Sequence, residues 1–397
     1  MRIAARVAAL AWMAGAASAG DGRTGVDVLA AGGFRQLAGK RVGVITNHTG
    51  LDRQGRRTID LLASAPGVRL AAIFAPEHGV EGTAAPGARI ESSRDAKSGT
   101  PIYSLYGQAK RPTAEMLRGL DAIVYDVQDV GARFYTYMST LGAAMEEAAA
   151  RGVEVVVLDR PNPINGIAVE GPVQDADQMS FVAYFPMPAR YGMTIGELAM
   201  MFNAEKKMGV KLTVAPLENW RREDWYDQTG LRWIDPSPNL RNLYATALYP
   251  GVNMLNMRSF SLGRATDHPY EVAGAPWVDG VRLAAYLNAR RVAGVSFTPA
   301  RFTPSADNFA GQECGGVFVN LLDRDRLNTG RLGIELLAAL WKLYPERFDL
   351  DGTLRRVGSK AVLAAIRRGE DPQRVERIWG PDVERFRRLR AKYLLYK

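Results

Sequence analysis

A chain of 397 residues, 47% hydrophobic and 23% charged, has material for a large folded core and is long for a single domain. No low-complexity tract or internal repeat interrupts it, which excludes a disordered or solenoid protein. The net charge of +9 favours acidic partners, such as nucleic acid, anionic lipid or a carboxylate-bearing polymer. The basic residues are dispersed, however. No zinc finger, helix-turn-helix or aromatic RNA-binding motif accompanies them, so no nucleic-acid partner is expected.

The N-terminus reads as an address. Arg2 and Arg6 precede the apolar run "VAALAWMAGAA", and Ala17-Ser18-Ala19 fits a small-residue cleavage site. Eleven apolar residues are too few to cross a bilayer, so residues 1–19 are expected to be a signal peptide and not a membrane anchor. Export, with a periplasmic destination, follows as an expectation. Losing Arg2 and Arg6 would lower the charge from +9 by two, to +7. Cys314 is the lone cysteine, which excludes an internal disulfide and leaves the compartment open.

Four apolar runs follow in order: "RVGVIT" (41–46), "LAAIFA" (70–75), "AIVYDV" (122–127) and "VEVVVL" (153–158). Segments with helical spacing separate them, at 56–65 and at 136–152, where Met138, Leu141, Met145 and Ala148 recur along one face. A further helix opens at Thr194 with Glu197 three residues on, the spacing of a capping box, and leads to a fifth strand at 210–217. Continuous apolar strands alternating with amphipathic helices predict an α/β fold: a parallel sheet covered on both faces, over residues 20–245. Beyond about residue 245 the texture changes. Strand-like pieces mix with helices at 279–290, 329–343 and the C-terminus, which predicts a smaller α+β domain over 246–397. The basic stretch "RFRRLRAK" (385–392) reads as the solvated face of a terminal helix.

Each strand runs directly into polar residues. The first gives Asn47 and His48, the second Glu77 and His78, the third Asp126, Gln128, Asp129 and Arg133, and the fourth Asp159, Arg160 and Asn162. In an open parallel sheet, ligands bind beyond the carboxyl ends of the strands, so these clusters predict a site on one rim. Glu77 is best placed for proton transfer, being a carboxyl at the edge of a dry strand; pairing with an arginine or capping a helix is its plainer role. Arg133 can grip a carboxylate, and Tyr135 can meet a sugar, although aromatics at this spacing are more often core. Two further Pro-rich loops offer Asn239 (234–242) and Arg264 (261–277). The three histidines, His48, His78 and His268, have no metal-binding spacing, and neither a Walker motif nor a G-x-G-x-x-G follows the first strand. No metal and no cofactor are therefore expected. A metal-dependent hydrolase using His48, His78 and Asp129 stands as a rival, as does a binding protein without turnover.

These loops also carry a likeness. "GVITNHTG", "APEHGVEG", "DVQDVGARFYTYMSTL", "LDRPNPINGIAVEGP", "YGMTIGELAMMFN", "PSPNLRN" and "GRATDHPYEVAGAPW" occur in the order seen in bacterial exo-β-N-acetylmuramidases, glycoside hydrolase family 171. The chain resembles that family from about residue 40 to the C-terminus. The resemblance implies a Rossmann-like domain, a smaller C-terminal domain and a cleft between them. It also implies release of a terminal, non-reducing N-acetylmuramic acid from peptidoglycan fragments, with the glutamate of "PEHG" falling on Glu77. A partner to that acid is then expected in Asp129, Asp126 or Tyr135, and a grip for the lactyl carboxylate in Arg133, Arg160 or Arg264. Asn47, His48, His78, Asp159, Asn162 and Asn239 complete the expected substrate contacts. One position departs from the family pattern: Ala265 stands where glycine is usual, which matters if that backbone needs a positive φ.

Overall fold

The apolar runs pair side by side, and the computed structural model places them in one sheet. It describes residues 20–84, 93–107 and 109–397, so the expected signal peptide lies outside the described residues. The strands are β1 (Arg41–Thr46), β2 (Arg69–Ala75), β3 (Ser93–Arg94), β4 (Pro101–Ser104), β5 (Ala122–Asp126), β6 (Glu154–Leu158) and β7 (Leu212–Ala215). Their order is β3-β4-β2-β1-β5-β6-β7, and every neighbouring pair is parallel except β3 with β4. β5 and β6 are buried at every position, as central strands covered on both faces must be. β3 and β4 have no apolar run of their own, and the sequence reading missed both.

Alternation along each strand divides the side chains between two layers. Val44, Val124 and Val156 face α1 (Gly25–Ala31) and α2 (Thr58–Ser64) through Val26, Leu29, Ile59 and Leu62. Ile45, Tyr125 and Val157 face the other way, into a core shared with Met138 and Leu141 of α3 (Tyr137–Ala149) and Leu198 and Phe202 of α4 (Ile195–Glu205). The expected capping box is formed. Thr194 Oγ1 accepts from the Glu197 amide, and a Glu197 carboxylate oxygen accepts from the Thr194 amide.

The second unit begins with α5 (Leu243–Val252). It is built on a three-stranded antiparallel sheet of β8 (Val272–Ala275), β9 (Val295–Phe302) and β10 (Cys314–Leu321), in the order β8-β10-β9. Helices α6 (Gly280–Ala289), α7 (Thr329–Leu343), α8 (Leu354–Val357), α9 (Lys360–Arg367) and α10 (Pro372–Arg390) complete it. The apolar core runs without a break from α3 and α4 into α5, α7 and β10, so the two units share one interior. Among the described residues no helix is long and apolar enough to cross a membrane.

The C-terminus corrects one expectation. Arg385 and Arg388 are exposed, but Arg390 is buried and donates to the carbonyls of Gly166, Ile167, Tyr191 and Gly192. The final residues then return to the first sheet. The Leu395 amide donates to Glu197, and the Tyr396 hydroxyl to Asp159.

Candidate active site

β2 ends at Ala75, and the chain turns at His78 and Gly79, both in the left-handed region with φ of 73° and 79°. The His78 Nδ1–H donates to the Ala84 carbonyl at 2.7 Å, which fixes the turn and uses one side of the ring. Glu77 stands at the start of this turn, half-buried, on the wall of a cavity of about 210 Å³. The Thr136 hydroxyl, just before α3, donates to Glu77 Oε2 at 2.6 Å. The Tyr106 hydroxyl stands beside the same carboxylate. Its phenol is pushed up first by burial and then by the charge on Glu77, so it remains a proton donor.

Aromatic rings form one wall. Tyr135 meets Tyr249 edge to face at 6.0 Å, and Tyr249 meets Tyr270 at 4.8 Å. The Tyr135 hydroxyl is buried near Ser237, yet it makes no well-formed hydrogen bond among the described residues. Desolvation holds its phenol well above the ordinary value, so it keeps its proton and can donate it. Asn239 reaches the cavity from the 234–242 loop, Arg264 from the loop before β8, and Arg356 from α8. Arg264 Nε pairs with Asp307 at 2.5 Å. Arg356 has no ion-pair partner among the described residues. Burial pulls its guanidinium below the ordinary arginine range, and Arg355 and Arg264 push in the same direction.

The structure thus gathers Glu77, His78, Tyr135, Asn239 and Arg264 around one cavity. The other expected site residues do not line it. Asn47 is buried, accepts from Thr49 and donates to the Tyr137 hydroxyl at 3.0 Å. Tyr137 in turn donates to the Pro236 carbonyl at 2.7 Å, so this chain of bonds ties β1 to the 234–242 loop. His48 Nε2 donates to the Asp235 carbonyl at 2.6 Å, and its ring leaves no room for a Cβ at Gly82.

Asp129, expected as a second catalytic carboxyl, is buried. It accepts from the Tyr191 hydroxyl and the Gly131 amide, and desolvation pushes its carboxyl up to about 6. Asp159 is likewise sealed, accepting from Thr194, Gly196 and Tyr396, and is pushed up to about 6 by burial. Arg160 makes a two-pronged buried pair with Asp126 at 2.5 and 3.0 Å and caps the Leu51 carbonyl. Asn162 donates to the Met193 carbonyl.

Arg133 is the clearest correction. It is fully buried and donates to four carbonyls, those of Pro172, Met187, Arg356 and Val357. Desolvation pulls it down to about 9. Both terminal nitrogens are used by the backbone, and the remaining Nε–H is buried away from the lining of the Glu77 cavity, so the fork does not reach a substrate there. The common reason for these differences is that a polar side chain at the end of a dry strand must be satisfied. Here the loops and the second unit satisfy most of them.

Residues that the sequence reading passed over include Tyr106, Thr136, Tyr249, Tyr270 and Arg356. Thr136 lay within a quoted motif but without a role. Tyr106 follows the unrecognised β4, and Arg356 sits in no motif. Ala265 does occupy the left-handed region, with φ of 59°, and its carbonyl accepts from both the amide and the hydroxyl of Ser305.

Among the described residues, no group of three His, Cys, Asp or Glu side chains is placed to hold a metal ion. One carboxylate, proton-donating phenols and aromatic walls, set beyond the carboxyl ends of a parallel sheet, are groups suited to a glycosidase. The chain belongs to the exo-β-N-acetylmuramidase NamZ family: the family's N-terminal model matches residues 42–244 and its C-terminal model residues 247–396. It is 38% identical over 377 residues to the peptidoglycan β-N-acetylmuramidase NamZ of Bacillus subtilis strain 168, covering 94% of this chain and 91% of that protein. Two crystal structures of DUF1343 family proteins from Bacteroides fragilis NCTC 9343 share the fold. One is 38% identical with a TM-score of 0.88, the other 32% identical with a TM-score of 0.80, and each match covers 95% of this chain and 99% of that structure's chain.

Proposed function

We propose that this enzyme releases the non-reducing terminal N-acetylmuramic acid from peptidoglycan fragments, with Glu77 as the group that protonates the leaving glycosidic oxygen. The observation that carries this reading is the placement of Glu77. Among the described residues that line the cavity it is the one carboxylate, and the Thr136 and Tyr106 hydroxyls steady it. A cavity this small suits one terminal sugar, not a run of chain, which agrees with exo action. Tyr135 serves as a hydroxyl donor to the sugar, and its aromatic neighbours offer a face for the ring to stack on.

The same reading places the enzyme outside the cytoplasm, where its polymer lies, with residues 1–19 as the leader. The N-terminal sequence of protein recovered from fractionated cells tests that part: a start at Met1 would refute it.

Hydrolysis tests the activity. A chromogenic β-N-acetylmuramide and the matching β-N-acetylglucosaminide are offered to the wild type and to Glu77→Gln. Release from the muramide, reduced about 10²- to 10⁴-fold in a variant that keeps its thermal midpoint, is the expected result. A folded wild type that binds muropeptides but cleaves neither substrate would overturn it.

A further inference from the structure

The loss of Arg133 from the list of available cations leaves a question about charge. Two guanidinium groups, Arg264 and Arg356, line the cavity together with Glu77. They stand close enough for Arg264 to disfavour the charge on Arg356. Arg264 is compensated through its Nε by Asp307. Arg356 is not: among the described residues it has no ion-pair partner, and it lines the cavity together with the rings of Tyr249 and Tyr270. A half-buried cation beside a second cation, with no carboxylate paired to it, is suited to accept an anion supplied from outside.

The backbone at this point is held with unusual thoroughness. Arg133 Nη2 donates to the Arg356 carbonyl at 2.6 Å and to the Val357 carbonyl at 3.1 Å. Gly358 follows in the left-handed region, with φ of 80°, and its carbonyl accepts from the Asp175 amide. The side chain of Arg356 therefore projects from a fixed point. That is how a recognition group is positioned, whereas an arginine that merely covers a surface has no such need.

We propose that Arg356, assisted by Arg264, is the specificity-determining anchor of this site and binds a free carboxylate carried by the terminal sugar. This rests on the functional reading above and names the residue that separates a muramic from a glucosamine residue, since the lactyl carboxylate is what distinguishes the two sugars. Its corollary is a preference for the free acid: a lactyl group capped as an amide offers no charge to Arg356.

The test compares three muramides on the full-length mature enzyme: the free lactyl acid, its methyl amide and its methyl ester. The wild type is expected to favour the acid by about 10- to 100-fold in kcat/KM, the range for one charge-assisted hydrogen bond, with the difference mainly in KM. Arg356→Met is expected to lose that preference by weakening on the acid alone, and Arg356→Lys to retain part of it, since lysine keeps the charge without the planar fork. Arg355→Ala, an exposed neighbour, keeps the wild-type ratio.

A wild type that cleaves acid and amide equally would overturn the proposal whatever the variants do. So would an Arg356→Met enzyme, folded by its thermal midpoint, whose acid-to-amide ratio is unchanged. Both outcomes leave the muramidase reading standing. A wild type that cleaves none of the three overturns the reading itself, and this proposal with it.

Discussion

Arg133 and Arg356 stand 223 residues apart, and the guanidinium of the first holds the backbone carbonyl of the second at 2.6 Å. One arginine is spent on placing the segment that carries the other. The first unit thereby sets a wall of a cavity whose proposed proton donor, Glu77, it also supplies.

Removing Arg133 should therefore damage both stability and catalysis. In Arg133→Met the four carbonyls it serves lose their donor in a dry interior, at about 1–3 kcal/mol for each one left unsatisfied. Partial relaxation brings the expected loss to about 3–5 kcal/mol in urea unfolding. Arg133→Lys should recover only part of it, because an ammonium cannot span the four acceptors. A loss below about 1 kcal/mol in the Met variant would refute this account of the residue.

Thr136 bonds to Glu77, the proposed proton donor. Thr136→Val keeps the shape and removes the 2.6 Å bond to Glu77. A fall in kcat of about tenfold with little change in KM is expected, the scale of one hydrogen bond to a charged group. Steady-state kinetics on the muramide decide it.

Ala265 sustains a left-handed backbone without glycine's freedom. That conformation costs an L-residue about 1–2 kcal/mol, and glycine's extra freedom in the unfolded chain returns about 0.4–1 kcal/mol of that. Ala265→Gly is thus expected to stabilise the enzyme by about 0.5–1 kcal/mol. Ala265→Val, with a branched Cβ at the same φ, should destabilise it. Thermal midpoints of the two variants, moving in opposite directions, are the readout.

Asp129 and Asp159 are each pushed up to about 6 by burial, above the ordinary carboxyl value near 4. The folded state then holds their protons more tightly than the unfolded state does. Their contribution is complete below pH ~4 and is lost as pH rises through ~6, by a few kcal/mol for the pair. Stability measured in urea should show this downward step between those limits, superimposed on the opposite trend of paired carboxylates such as Asp60 and Glu154. Asp129→Asn should flatten part of the step, and a profile identical to wild type would refute the assignment.

What the sequence made legible was local. The apolar runs announced β1, β2, β5 and β6, and Thr194 with Glu197 announced the start of α4, because these signals lie within a few residues of one another. Glu77 was visible because Pro76 and His78 mark the end of a strand. The fate of the other rim residues was not visible, since it depends on distant partners. Asp126 is met by Arg160 and Asp159 by Tyr396, and no pattern within either segment tells a side chain open to a cavity from one sealed by a loop. Arg356 had no signal at all: a short helix with two adjacent arginines looks like any basic surface. β4 is four residues with one buried side chain, too little to announce itself or Tyr106 beyond it.

The bond from Tyr396 to Asp159 spans 237 residues, and the Leu395 amide completes Glu197 in the same layer. While the chain is being made, the larger sheet can assemble its strands long before either acid receives these donors. Until Leu395 and Tyr396 are made, Asp159 and Glu197 lack these two donors. The enzyme is therefore fastened by residues made late, and removing Leu395 and Tyr396 would unfasten a part of the molecule made much earlier.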